Sequence, residues 1–198
     1  MKEICKKIIA NAPEHYRKVL TAYKDQIFFL KTNAVGRNRF SPKYNGIFIN
    51  LKNDEHNMKG AYAAVFHEIG HHIDIIWKNI SIYGDFGKLL REDAQNFLFA
   101  YSQINGYTTE EALNKISEAI QYAEGNQCHV MSDLFSGIYG EKYKWRYGHS
   151  DSYWSKKGKL ESEAFAHFFS ASVLPDAEGL NTIKNVFPQA YQWFDKLI

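Results

Sequence analysis

The stretch FHEIGHHID, residues 66–74, gathers three histidines and two carboxylates into nine positions. On a helix that turns about 100° per residue, His67 and His71 lie one above the other on one side. The opposite side carries an apolar stripe made of Met58, Tyr62, Val65, Phe66, Ile69, Ile73 and Ile76. The pattern predicts an amphipathic helix over about 58–79, with Asn57 as its candidate N-cap.

The segment HEIGH matches the H-E-x-x-H pattern. Two imidazoles at i and i+4 can bind one zinc ion, and Glu68 can reach a water at that ion without binding the metal itself. The alternative interpretation is a solvated polar face or a buried ion-pair patch. Gly70 costs the helix about 1 kcal/mol relative to alanine, which favours a crowded site around it.

Two further polar residues follow on the same helix. His72 lies at the edge of the apolar stripe, so it is interpreted as a packed histidine or as one that supports a metal ligand, rather than as a ligand itself. Asp74 lies on the His67 side and either orients a ligand imidazole or stands on the surface as an exposed aspartate.

A catalytic zinc usually takes three protein ligands. A metzincin extension would need glycine at 74 and histidine at 77, but the chain has Asp74 and Trp77, which excludes that class. The best third candidate is Glu163 in ESEAFAHFFSAS, where it shares a helical face with His167. Glu161 is a rival on another face, and a first-turn glutamate favoured by the helix dipole would also explain the residue.

Composition describes a globular chain of 198 residues, 45% apolar, with a net charge of +2. Cys5 and Cys128 form no metal or redox motif, which favours a reducing compartment. No apolar run suits a secretory signal or a membrane span. We expect a cytoplasmic protein, with association with a phage particle or non-classical secretion as alternatives. KYKWRY (142–147) interleaves basic and aromatic residues, but an amphipathic strand explains it as well as nucleic-acid binding does.

The patterning predicts a single α+β domain over 1–198, mostly helical. It begins with N-terminal helices over 1–25, followed by strands in 25–31 and 46–52. Helices are predicted near 88–103 and 108–124, irregular structure over 126–158, and helices over 161–173 and from Pro188 onward.

HEIGH followed by EAFAHFF resembles the zincin metallopeptidases of the gluzincin type. The chain is similar to the catalytic domain of anthrax lethal factor and to metallopeptidase-like domains of phage and prophage minor head proteins. The phage resemblance extends to VMSDLFSGIYG (130–140), YGHSDSYW (147–154) and VFPQAYQWFDKLI (186–198), so it covers about 40–198. It implies a zincin-like fold with a small sheet packed on the HExxH helix and the C-terminal helices, in which the strand near 46–52 lies at an edge and pairs with an extended substrate. Compared with that family, the long interval from His71 to Glu163 implies a helical insertion over 80–125.

The resemblance also implies a Zn²⁺ site of His67, His71 and Glu163, with Glu68 as general acid and base. His167 departs from the toxin pattern, which tends to carry a second acidic residue there. The tyrosine that steadies the oxyanion in such sites matches Tyr153 best, three residues from the expected offset, and His149 could take the same role. GHSDSY also resembles the aspzincin motif, which makes Asp151 the runner-up ligand, although a turn with exposed polar residues would fit too.

We therefore expect a hydrolase, a zinc-dependent endopeptidase acting on a protein or peptide and related to phage or toxin proteins. The alternative is a phage or mobile-element structural or interaction module that keeps a structural metal without proteolysis. The sequence leaves the substrate and the oligomeric state open.

Overall fold

The computed structural model describes residues 3–31, 39–50, 54–57, 60–123, 126–175 and 177–198. Three short strands are present: β1 (Phe29–Lys31), β2 (Arg39–Ser41) and β3 (Gly46–Ile49). The helices are α1 (Glu3–Asn11), α2 (Glu14–Ala22), α3 (Ala63–Ile76), α4 (Phe86–Asn105), α5 (Thr109–Tyr122), α6 (Asn126–Tyr139), α7 (Asp151–Trp154), α8 (Lys159–Val173), α9 (Ala177–Val186) and α10 (Pro188–Leu197). The described chain is thus mostly helical with one small sheet, which agrees with the predicted α+β class.

The sheet has the order β1-β3-β2, with β1 parallel and β2 antiparallel to β3. The prediction that the strand in 46–52 lies at an edge was therefore wrong. β3 is central because β1 and β2 pair with its two sides, a strand order that alternation along one strand does not encode. Ile47 and Ile49 of β3 are buried in the core, while residues 51 and 52 lie outside the described residues.

α3 carries the HEIGH segment and is shorter than the sequence predicted. It begins at Ala63, and Tyr62 takes a left-handed backbone conformation at its N-cap. Asn57 is not the cap, because its side-chain amide donates to Asp54 Oδ1 over 2.7 Å. Asp54 instead serves the first turn of α3, where its Oδ2 accepts the backbone N–H of Val65 at 2.9 Å.

α8 is the central helix of the core. Its residues from 163 to 173 are all buried, so it is covered on every side, as expected of a helix that is largely apolar all round. Its largest side chains, Phe165, Phe168 and Phe169, are fully enclosed. Of the described elements, α3 and α8 contact each other most extensively, and α3 also packs against β2 and β3.

α4 and α5 form the helical region predicted near 80–125. Thr108 caps α5 in a reciprocal pair with Glu111, whose side chain accepts the backbone N–H of Thr108. Asp93 of α4 accepts the backbone N–H groups of Gln189 and Ala190, which ties α4 to the start of α10. No described helix is long and apolar enough to cross a membrane.

The prediction of irregular structure over 126–158 was wrong for its first part, which is helix α6. α6 packs against α8 and α9, because its apolar residues recur on one buried face that includes Val130, Leu134 and Phe135. Residues 141–150 that follow contain no helix or strand, and they turn back toward α3 and α8.

Candidate metal centre

The two histidines of HEIGH project from α3 toward α8. Their rings lie one helical turn apart with centroids separated by 4.7 Å. Both side chains are largely but not wholly enclosed, at 18% exposed for His67 and 15% for His71. The helix therefore presents two imidazole nitrogens at the same place, as the i, i+4 spacing predicts.

Glu163 reaches the same place from the start of α8. Its Oε2 atom lies 3.1 Å from His67 Nε2 and 3.4 Å from His71 Nε2. The carboxylate is 4% exposed, and an isolated charge at that depth would be costly. The three side chains form a group whose nitrogen and oxygen atoms lie within 4.8 Å of one another, and such a group could hold a metal ion.

Gly70 allows this meeting of α3 and α8. A Cβ atom added there would lie 2.8 Å from the Cα atom of Ala166 and 3.2 Å from its carbonyl oxygen. Backbone cannot move aside as a side-chain end can, so only glycine permits this approach. The unfavourable glycine within the helix predicted a crowded site, and that site is the contact between α3 and α8.

Ser162 orients one of the imidazoles. Its hydroxyl lies 3.1 Å from His71 Nδ1, which leaves Nε2 of the same ring facing Glu163. A hydrogen bond on one ring nitrogen in this way fixes which nitrogen is presented to a metal. Ser162 was not singled out from the sequence, although its position next to Glu163 is the signal that could have identified it.

Burial and neighbouring charges shift the pKa values of the three side chains in different directions. Burial lowers the pKa of His71, but the Glu163 carboxylate more than offsets this and raises that pKa to about 9. Burial and the nearby His167 imidazole lower the pKa of His67. Although burial alone would raise it, the pKa of Glu163 is held well below its usual range by the charge on His71 and by hydrogen bonds from both imidazoles. At neutral pH the metal-free chain therefore holds an ionised Glu163 against a protonated His71.

Glu68 lies beside the group but is not a member of it among the described residues. Its Oε2 atom accepts the backbone N–H of Phe40 at 2.6 Å, so the carboxylate is held against strand β2. The side chain borders a cavity of about 1130 Å³ that is also lined by His67 and Glu163. Glu68 therefore borders the same cavity as the donor group without belonging to that group.

Tyr153 and His149 lie on the other side of Glu163. The Tyr153 hydroxyl donates a short hydrogen bond to Glu163 Oε1, and His149 Nε2 lies 3.7 Å from the same oxygen. The two rings stack with centroids 4.0 Å apart. Burial and the negative charge of Glu163 raise the pKa of Tyr153, which keeps the hydroxyl protonated and able to donate.

The structure does not bring Asp151 into the group. Asp151 is exposed at the start of α7, and its Oδ1 accepts the backbone N–H of Glu141 at 3.2 Å. Glu161, the rival of Glu163, pairs instead with Arg91 at 3.1 Å.

The two other polar residues of α3 have structural roles. His72 is fully buried, as expected, and its Nε2 donates to the carbonyl oxygen of Gln26 at 2.5 Å. The exposed interpretation of Asp74 was wrong: the carboxylate is buried and accepts both the N–H and the hydroxyl of Ser81, at 2.9 and 2.7 Å. These bonds fix the turn that follows α3.

Asp133 was missed from the sequence because its segment was interpreted as irregular. It lies on α6, is 3% exposed, and its Oδ2 is 2.9 Å from His167 Nε2. The His167 ring in turn contacts the His67 ring, with centroids 4.5 Å apart. An aspartate within the apolar run VMSDLF was the available signal, since a charge inside a buried helical face needs a partner.

The cavity is lined by α3, α6, α8 and the segment 141–150, together with Asn50, Asp54 and Asn57. The predicted insertion contributes none of its described lining residues, so α4 and α5 do not cover the site. Comparisons with protein families, curated proteins and solved structures found no match to this chain.

Proposed function

We propose that the chain is a zinc-dependent endopeptidase that hydrolyses a peptide bond in a protein or peptide. The observation that carries the proposal is the position of Glu68, beside but outside the group of His67, His71 and Glu163 and open to the same cavity. Structural zinc sites are closed by four protein ligands, whereas catalytic sites have three and keep one position open. The three donors and the adjoining cavity fit the second type.

Zinc is the metal that best suits this donor set. Two imidazoles and one carboxylate form a common catalytic zinc site, and no thiolate belongs to the group. When bound by His67, His71 and Glu163, zinc would supply Lewis acidity, which lowers the pKa of a water and polarises a carbonyl.

The remaining chemistry falls to side chains of the chain. Glu68 accepts a proton from the water as its oxygen attacks the carbonyl carbon, then passes that proton to the amine nitrogen as the C–N bond breaks. The hydrogen bond from the Phe40 N–H holds one oxygen of Glu68 in place. The other oxygen of the carboxylate can then accept the proton of the water. Tyr153 could donate a hydrogen bond to the developing oxyanion once its hydroxyl leaves Glu163 Oε1, and His149 could donate in its place.

An extended substrate would pair with the sheet at β2 rather than at β3. Within the described part of the sheet β2 lies at an edge, and the hydrogen bond from the Phe40 N–H to Glu68 places that edge beside the proposed proton acceptor. Main-chain pairing at such an edge binds a peptide with little demand on its sequence.

The test measures zinc per chain and release of peptides from a mixed protein substrate. The natural sequence should hold about one tightly bound zinc, and Glu163→Gln should lose it, while Glu161→Gln, its neighbour on α8, should keep it. Glu68→Gln should keep the zinc and lose about 10²–10⁴-fold in hydrolysis. If the natural sequence binds zinc but hydrolyses no substrate, and Glu68→Gln changes neither result, the structural or interaction module is supported instead.

A further inference from the structure

The two carboxylate oxygens of Glu163 face two different sets of side chains. Oε2 faces His67 and His71, as described above, whereas Oε1 faces His149 at 3.7 Å and accepts the Tyr153 hydroxyl. A single metal ion on the first set would use only one side of this carboxylate. The other oxygen remains directed at a separate imidazole, which is the arrangement of a carboxylate shared by two cations.

Asp133 supplies a second carboxylate on the Oε1 side. Donor atoms of Asp133, His149 and Glu163 lie within 4.8 Å of one another, and both carboxylates are at least 95% buried. Burial of two neighbouring carboxylates costs free energy that a cation bound between them would offset. His167 pairs with one oxygen of Asp133, at 2.9 Å, so the pair fixes this carboxylate in place on α6.

Gly148 brings His149 to Asp133. A Cβ atom at Gly148 would lie 2.3 Å from Ser136 Oγ and 2.9 Å from its Cβ, and the backbone there has φ +150°, which disfavours other residues. Ser136 is one turn along α6 from Asp133. The glycine thus lets the segment 141–150 approach α6 closely, so that the next residue, His149, faces the two carboxylates.

We propose that Asp133, His149 and Glu163 form a second divalent-cation position, bridged to the first through the two oxygens of Glu163. Its imidazole nitrogen and carboxylate oxygens suit zinc or a similar transition-metal ion. His149 is 41% exposed, which gives an ion access from the cavity. With His149 on this cation, Tyr153 is the hydrogen-bond donor that remains for an oxyanion. The inference rests on the first metal position proposed above but does not require proteolysis.

The first test is metal stoichiometry with zinc alone as the probe. The intact chain is stripped with a chelator, dialysed against increasing free zinc, and measured by elemental analysis. We expect saturation near two ions per chain, falling to about one in Asp133→Asn and in His149→Ala. Glu141→Gln removes an exposed carboxylate on the rim of the same cavity and should keep about two. Because His149 is on an exposed loop, His149→Ala tests the site even if Asp133→Asn does not fold.

Saturation of the natural sequence near one ion would overturn the second position. If that ion is lost in Glu163→Gln, the first position stands, so the two proposals fail separately. Two ions that persist in His149→Ala would show that the second binds elsewhere and would also overturn the proposal. In the cobalt-loaded chain, a bridged pair should show magnetic coupling by electron paramagnetic resonance that His149→Ala abolishes; two uncoupled ions in the natural sequence would contradict the bridge.

Discussion

A Cβ atom at Gly70 would lie 2.8 Å from the Cα atom of Ala166, so α3 and α8 touch through their backbones. On α3 the contact falls between His67 and His71 in the sequence, and on α8 it falls about one turn after Glu163. Since Glu163 Oε2 is 3.1 Å from His67 Nε2, a small change in the spacing of the helices would alter the donor group itself.

Gly70→Ala should therefore weaken both the fold and the metal site. Alanine favours the helix by about 1 kcal/mol, but a methyl group against backbone forces the helices apart and costs about 1–3 kcal/mol. We expect a lower free energy of unfolding and weaker zinc binding, measured by urea denaturation and competition with a chelator. Gly137→Ala on α6 is the control, because its added methyl meets only side chains, at 3.1 Å. Equal zinc affinity in Gly70→Ala and the natural sequence would contradict the role of the close contact.

Asp74→Ala should destabilise the chain without loosening the metal. The variant leaves the N–H and hydroxyl of buried Ser81 without their acceptor, which costs about 1–3 kcal/mol. Thermal unfolding measures the loss, with exposed Asp85→Ala expected to change stability by less than about 0.5 kcal/mol. If Asp74 instead oriented a ligand imidazole, zinc affinity would fall by about 10–100-fold in this variant.

The part of the site that lies within one helix could be predicted from the sequence. His67, Glu68 and His71 follow from a spacing of one turn, and that relationship holds in any fold that keeps α3 helical. The meeting with Glu163, 96 positions from His67, depends on how two helices pack. The unfavourable Gly70 indicates a close packing contact on α3, but it does not indicate which element makes that contact.

Two features could not be predicted because they depend on tertiary structure. The alternation in GIFI indicates a strand with one buried face, but whether that strand is central or at an edge depends on which other strands pair with it. α6 combines polar and small residues with apolar ones, so its sequence shows no clear helical period. Its buried face is defined only by packing against α8 and α9. Asp133 was missed for the same reason.

Tyr153→Phe should lower hydrolysis while leaving zinc bound. The hydroxyl stays protonated because burial and the charge of Glu163 raise its pKa, so it can donate to an oxyanion. Loss of one such donor costs about 10²–10³-fold in kcat. Steady-state kinetics and zinc content measure the two effects, and Tyr147→Phe, which changes a tyrosine that lines the cavity, is the comparison variant. A drop in zinc content that matches the drop in rate would show instead that Tyr153 only steadies Glu163.

The metal-free chain should lose stability as the pH rises from about 6.5 to 9. His71 has its pKa raised from 6.5 to about 9 in the folded chain, so protonation favours the folded state. That contribution is fully present below pH 6.5 and is lost as the pH passes through about 9. A shift of this size corresponds to roughly 3 kcal/mol, at about 1.4 kcal/mol per pKa unit.

Urea denaturation in the presence of a chelator, at several values of pH, measures this loss. His71→Gln removes the titrating group and should give a flat profile between pH 6.5 and 9, whereas His15→Gln, a half-exposed histidine on α2, should keep the slope. Zinc must displace the proton from His71, so its binding at neutral pH should release about one proton, detectable as a dependence of the binding heat on the buffer. A metal-free chain equally stable at pH 6.5 and 9 would show that His71 and Glu163 do not form a charged pair.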